Sequence, residues 1–200
     1  MSVDGIILAA GYSERAGGFK PLLDLCGKAL LERTVESMSG ICERIIVVGG
    51  HEFEELSKLT RKLSGVITVR NGHPERGMFA SVRVGVAEVA AERFFILPGD
   101  QPAVMPATFR GLLAQGGDIV IPRYKGKKGH PVLFDASCKD GILSLPDSGI
   151  LRTYIHTKSK VRILDVDDPG IGLDVDTAED YENMIRYYQE NILCNSGDKA

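Results

Sequence analysis

Apolar residues gather in short, unbroken runs along the first half of the chain, each closed by glycine, asparagine or proline. Ile6 to Ala10, Arg44 to Val48, Val66 to Val69 and Phe94 to Leu97 are such runs, and they predict strands buried on both faces of a parallel sheet. Between them the spacing changes. Leu30, Leu31, Thr34, Val35 and Met38 recur at helical intervals, with Gly40 as a stop, and Leu56, Leu59 and Leu63 mark a second helix. Residues 77–91 predict a third. The first half is therefore β-α-β-α-β-α-β, the alternation that parallel strands require. The second half is less regular. Asp118 to Ile121, Val132 to Phe134 and Val161 to Val166 predict strands, with the basic turn Lys125-Gly126-Lys127-Lys128-Gly129 between the first two, and residues 177–190 predict a closing helix. In such sheets ligands sit beyond the carboxyl ends of the strands. The informative loops are those after Ala10, Val69 and Leu97.

The expected fold class is a single-domain, Rossmann-like α/β three-layer fold with a mostly parallel central sheet, spanning residues 1–194 and followed by a polar, fraying tail at 195–200. There is no internal repeat and no linker. A formal net charge of only -3 argues against a broad polyanion-binding surface, so nucleic acid is not an expected partner. Cys26, Cys42, Cys138 and Cys194 form neither a CxxC pair nor a metal spacing, and fit a reducing compartment. The apolar run at Ile6 is too short for a signal segment, and no stretch approaches a membrane span. A cytoplasmic, monomeric enzyme is expected.

The first loop carries the most chemistry. After Leu8-Ala9-Ala10 come Gly11-Tyr12-Ser13-Glu14-Arg15-Ala16-Gly17-Gly18-Phe19-Lys20-Pro21. Glycines here let backbone amides approach an anion, Arg15 can donate two bonds to phosphate oxygens, and Lys20 adds a compact positive charge. A glycine-rich turn between strand and helix would have the same composition. GxGxxG is absent, and Lys20 is followed by Pro21, so neither a dinucleotide fingerprint nor a P-loop is present.

This loop resembles the signature of the MobA-like nucleotidyltransferases, and within them the molybdenum cofactor cytidylyltransferase branch. The resemblance implies that Leu8, Ala9, Ala10, Gly11, Arg15 and Lys20 bind an NTP, with Lys20 acting on charge at the α-phosphate and Arg15 holding the outer phosphates. It continues through Asn71, then Gly77 and Ser81 in Arg76-Gly77-Met78-Phe79-Ala80-Ser81, also expected on the nucleotide. Pro98-Gly99-Asp100-Gln101-Pro102 is similar to the family's GDxP segment, so Gly99 is expected on the nucleotide and Asp100 as a metal ligand. A hard carboxylate oxygen at the sheet's carboxyl edge is what Mg²⁺ prefers. Gly172-Leu173-Asp174-Val175-Asp176-Thr177-Ala178-Glu179-Asp180 resembles the late acidic motif. Asp174 is expected as the second metal ligand, with Asp176 and Thr177 as helix caps. Gln101, Pro102 and His130, the last in Gly129-His130-Pro131-Val132-Leu133-Phe134, are expected on the acceptor side, with Lys127 or Lys128 near His130. A turn histidine with a structural role alone would read the same way.

The implied reaction is Mg²⁺-dependent transfer of CMP from CTP to the terminal phosphate of molybdopterin, releasing pyrophosphate, with transient contact to a molybdoenzyme or accessory protein. A transferase for another sugar or alcohol phosphate is the alternative enzyme. A non-catalytic cofactor-handling module is the alternative class, disfavoured because simple binding needs no lysine with paired carboxylates.

Overall fold

The computed structural model describes residues 2–11, 18–146 and 148–193. Eight strands form one sheet: β1 Val3–Ala9, β2 Arg44–Gly49, β3 Val66–Arg70, β4 Arg93–Pro98, β5 Ile119–Tyr124, β6 Lys127–Lys128, β7 Val132–Asp135 and β8 Val161–Asp165. Their order is β3-β2-β1-β4-β7-β5-β6, with β8 also paired to β5. β3, β2, β1 and β4 are mutually parallel; β7 runs antiparallel between β4 and β5, and β5 and β8 are parallel. The expected mostly parallel α/β architecture is the one observed. The helices are α1 Leu30–Met38, α2 Phe53–Thr60, α3 Met78–Ala87, α4 Pro106–Leu113, α5 Lys139–Leu143, α6 Leu151–His156 and α7 Ala178–Tyr188.

The unbroken apolar runs have a simple cause. Successive side chains along a strand point to opposite faces, and here both faces are covered. Ile7, Val47, Phe95 and Leu97 join one core with α1, α2 and α4, while Ile6, Ile46, Val48, Phe94 and Ile96 join another with α3, α5 and α6. Adjacent phenylalanines of β4 illustrate the division: Phe94 stacks on Phe134 at 5.3 Å between ring centroids, and Phe95 meets Phe109 edge-on at 5.1 Å. A third, smaller cluster joins α7, through Met184 and Tyr188, to Leu25, Leu30 and Val175.

Several boundaries differ from expectation. β1 begins at Val3, because buried Asp4 is held in the sheet by Arg44 (Nη2 to Oδ2, 2.8 Å) and by the amides of Ala90 and Ala91. Polarity hid it in the sequence. α2 stops at Thr60, short of Leu63, and α3 spans less than 77–91. The basic turn is a hairpin in which Lys125 and Gly126 both have positive φ (46° and 83°), which pairs Lys127–Lys128 with β5. α4, α5 and α6 were not expected. Among the described residues no helix is long and apolar enough to cross a membrane.

Candidate active site

The parallel strands deliver their carboxyl ends to one edge, where a cavity of about 390 Å³ opens. Leu8, Ala9, Ala10 and Gly11 wall it from β1, Gly77 and Ser81 from the start of α3, and Gly99 and Asp100 from the turn after β4. Lys20, Pro21 and Asp176 complete it. Pro21 opens a short 3-10 turn, Lys20–Leu22, which aims Lys20 inward. The nucleotide-side expectations thus converge on one cavity, except two. Arg15 lies outside the described residues. Asn71 is 3% exposed and bonds inward: its Nδ2 donates to Ser81 Oγ at 3.0 Å and its Oδ1 accepts from the His73 amide at 2.9 Å. Asn71 therefore shapes the loop and holds Ser81 rather than lining the first cavity.

The centre of the site is a charged triad. Lys20 Nζ donates to Asp176 Oδ1 at 2.8 Å and to Asp100 Oδ2 at 3.2 Å. Burial opposes the Lys20 charge, yet the two carboxylates outweigh it and raise the lysine's pKa. Asp100 behaves differently. Burial raises its pKa, Asp174 adds to that, and Lys20 offsets only part. Burial therefore outweighs the help that Asp100 receives from Lys20.

Asp176 was expected as a helix cap, and the structure corrects this. Thr177 is the cap, with its Oγ1 accepting from the Asp180 amide at 3.2 Å, while the Asp180 carboxylate accepts from the Thr177 amide at 2.8 Å. The Asp176 carboxylate is left to face Lys20. Asp174 lines a second cavity instead, although its charge is felt at both Asp100 and His130. The Val175 amide donates to the Asp100 carbonyl at 3.1 Å, and this bond sets the register of the acidic pair against the β4 turn. Among the described residues no group of three or more His, Cys, Asp or Glu side chains gathers as a ready metal site.

The second cavity, about 930 Å³, shares Leu8, Met78 and Pro98 with the first. Gln101, His130 and Asp174 line it, with Lys128 and Arg76 also on its wall. Burial lowers the His130 pKa against the pull of Asp174, which favours a neutral imidazole. Close backbone contact fixes this wall. A side chain on Gly129 would meet the Ile171 carbonyl oxygen at 2.1 Å, so glycine is required before His130. Pro102, expected on the acceptor side, is buried and lines neither cavity; it turns the chain into the core. Pro21, Pro74 and Met78 line the first cavity without having been expected there. Prolines flanking the charged loops were the available signal.

Comparison with known proteins decides the family. The family model for the MobA-like NTP transferase domain matches residues 5–161. The chain belongs to this family. It is accordingly a nucleotidyltransferase. A molybdenum cofactor cytidylyltransferase of Escherichia coli (strain K12) is 27% identical over 190 residues, covering 94% of this chain and 98% of the relative. A probable molybdenum cofactor guanylyltransferase of Natranaerobius thermophilus is 29% identical over 131 residues, covering 62% of each chain. Among solved structures, Rv0371c from Mycobacterium tuberculosis H37Rv superposes with a TM-score of 0.81 at 29% identity, covering 93% of this chain and 98% of that one. A second structure of that protein is a complex with manganese, with a TM-score of 0.75 at 29% identity, covering 93% and 99%.

Proposed function

We propose that this MobA-like transferase moves CMP from CTP to the terminal phosphate of the molybdenum cofactor, with release of pyrophosphate and with Mg²⁺ as the physiological metal. The observation that carries the reading is Lys20 held between Asp100 and Asp176 at the mouth of β1 and β4. The nucleotide occupies the smaller cavity, with its phosphates toward Gly11 and Lys20, and the acceptor occupies the larger one beside it. Arg15 is assigned to the outer phosphates from the sequence motif. Ser81 donates its hydroxyl proton to the nucleotide. Lys20 places positive charge on the α-phosphate as negative charge grows there. An acceptor phosphate is already ionised near neutral pH, so no strong base is needed, and His130 positions the acceptor as a neutral group. Catalysis is then alignment plus electrostatic stabilisation.

The residues fit a divalent cation. Asp100 and Asp176 already share one positive group, and Asp100 keeps a raised pKa in spite of it. Hard carboxylate oxygens suit Mg²⁺, which commonly takes one or two of them together with substrate phosphates. Asp100 is the first ligand. Asp176, which shares Lys20 with Asp100, is favoured as the second over the sequence-based choice, Asp174. When bound, the metal neutralises phosphate charge. The manganese complex of the mycobacterial relative supports a divalent cation in this fold.

The base preference rests on Ala10, which lines the nucleotide cavity where its methyl faces Gly50. A methyl group there narrows the space and favours a pyrimidine, with a discrimination of about 1–3 kcal/mol for one such group. The expected result is a higher kcat/KM for CTP than for GTP, reduced in Ala10→Gly. A parent enzyme that favours GTP tenfold refutes the cytidylyl assignment.

A further inference from the structure

Among the described residues two aspartates are buried, Asp4 at 3% exposed and Asp168 at 1%. Asp4 is paired with Arg44. Asp168 instead accepts from three uncharged donors. Its Oδ2 takes the Met105 amide at 2.9 Å and the Thr108 hydroxyl at 2.5 Å, and its Oδ1 takes the Gly170 amide at 2.8 Å. A carboxylate buried among neutral donors is costly, so its bonds must hold an arrangement that the protein needs. The positive end of α4 offsets part of that cost, since Met105 caps this helix and Thr108 lies in its first turn. Asp168 lines neither cavity. The segments that it ties together do.

One segment is 99–105, the turn after β4 that carries Asp100. The other is the 3-10 turn Pro169–Gly172, which runs on into Asp174 and Asp176. The two are in close contact, for a side chain on Gly170 would meet the Ala103 carbonyl oxygen at 2.2 Å. The same 3-10 turn carries the His130 wall, because the Ile171 carbonyl accepts from the His130 amide at 2.9 Å. Just beyond it the Val175 amide donates to the Asp100 carbonyl at 3.1 Å. Ile171, Gly172, Asp174 and His130 all line the larger cavity. We propose that Asp168 is a positioning residue for the acceptor half of the active site: its carboxylate clamps the turn at 169–172 to the start of α4, and so sets His130 and Asp174 against Asp100. This rests on the reading of the larger cavity as the acceptor site. The clamp needs a carboxylate. Each of its oxygens accepts from a different segment, whereas a carboxamide has one acceptor oxygen and must release either Gly170 or Met105. The nucleotide side does not depend on the clamp, since Lys20 bonds Asp100 and Asp176 directly and the Thr177–Asp180 box fixes the start of α7.

The test is Asp168→Asn in the full-length chain, with Asp4→Ala as a destabilised comparator at the opposite edge of the sheet. In amide hydrogen exchange, His130 and Val175 should exchange about tenfold faster relative to the amides of β2, the worth of roughly one hydrogen bond. Asp4→Ala should leave that ratio as it is in the parent. In initial rates with CTP, Mg²⁺ and molybdenum cofactor, kcat/KM for the acceptor should fall about 10- to 100-fold, the penalty of a small misplacement. CTP affinity measured calorimetrically should match the parent. Thr108→Val removes one donor and leaves both arms of the clamp, so it should move both readouts the same way by less; it serves if Asp168→Asn does not fold. Thr108→Ser keeps the hydroxyl and should restore them. A merely structural Asp168 would lower stability and leave the exchange ratio and the acceptor kcat/KM as in Asp4→Ala, which overturns the inference. An equal loss of affinity for CTP and for the acceptor overturns it too. An unchanged exchange ratio with pyrophosphate release intact sinks the clamp and spares nucleotidyl transfer. Faster exchange at His130 and Val175, in a protein whose parent releases no pyrophosphate with any acceptor, does the reverse.

Discussion

Replacing Lys20 by alanine separates its two relationships, to the carboxylates and to the nucleotide. In the free protein the ammonium contacts Asp176 at 2.8 Å and Asp100 at 3.2 Å, with side-chain exposures of 15% for Lys20, 25% for Asp100 and 43% for Asp176. A hydrogen bond to a charged group contributes about 1.5–3 kcal/mol. Solvent screening at the more exposed Asp176, and the desolvation that already opposes both Lys20 and Asp100, reduce the net loss to about 1–2 kcal/mol. For a domain of this size that is a fall of roughly 2–8 °C in thermal midpoint. The effect on chemistry is larger. Removing a preorganised donor from developing charge costs about 100- to 1000-fold in kcat. NTP affinity should fall less than tenfold, because the charge on the α-phosphate grows mainly in the transition state. The third consequence is opposite in sign: without the ammonium, Asp100 and Asp176 lose a positive charge that competes with a cation, so Mn²⁺ affinity measured calorimetrically without nucleotide should stay level or rise. A kcat within threefold of the parent would refute the role of Lys20. A loss of activity fully recovered by raising the metal concentration would refute it as well.

Asp100→Asn and Asp176→Asn should each raise the Mg²⁺ concentration needed for half-maximal activity, and Asp174→Asn should act mainly on the KM of the acceptor; the reverse ranking of the two late acids would restore Asp174 as the metal ligand. Asn71→Ala should raise the KM for NTP about tenfold by releasing Ser81 and the His73 amide, seen in initial rates at fixed acceptor, and an unchanged KM would reduce Asn71 to packing. Asp4→Ala, at the opposite edge of the sheet, should cost about 3 kcal/mol in denaturant titrations by leaving the amides of Ala90 and Ala91 without their acceptor, with Arg44 keeping its bond to the Glu88 carbonyl and kcat unaffected. Burial raises the Asp4 pKa, but Arg44 and the amides of Ala90 and Ala91 outweigh it and leave it lowered. Its contribution is therefore complete above the ordinary aspartate range and disappears as pH falls through the lowered value, so the variant and parent should converge in stability at strongly acidic pH.

The parallel half of the fold was legible because burial on both faces writes a strand as a continuous apolar run, and β2, β3 and β4 begin and end within a few residues of those runs. β1 was read short because Asp4 is polar and Gly5 small, although both are covered. α4 was missed even though Pro106 stands at its first position with Phe109 and Leu112 one turn apart. It has only eight residues, and its pattern is too brief to stand out from a loop. α5 and α6 are shorter still. On the site, Lys20, Asp100, Gly11, Gly77 and Gly99, named from the motif resemblance, all line the one cavity at the carboxyl edge. The choice between Asp174 and Asp176 was not legible. Both precede the same helix, and only the pairing of Val175 with Asp100 determines which one faces Lys20. Asn71 carried the right position and the wrong direction, since a sequence cannot tell an inward amide from an outward one.

The most direct measurement is pyrophosphate release by the purified protein given Mg²⁺, molybdopterin-bound molybdenum cofactor and each of CTP and GTP, with the nucleotide product identified by mass. The expected result is stoichiometric pyrophosphate and a cytosine dinucleotide form of the cofactor with CTP, at a higher kcat/KM than with GTP. No pyrophosphate with either nucleotide, while the same preparation turns over CTP with another phosphorylated acceptor, would contradict the cofactor assignment.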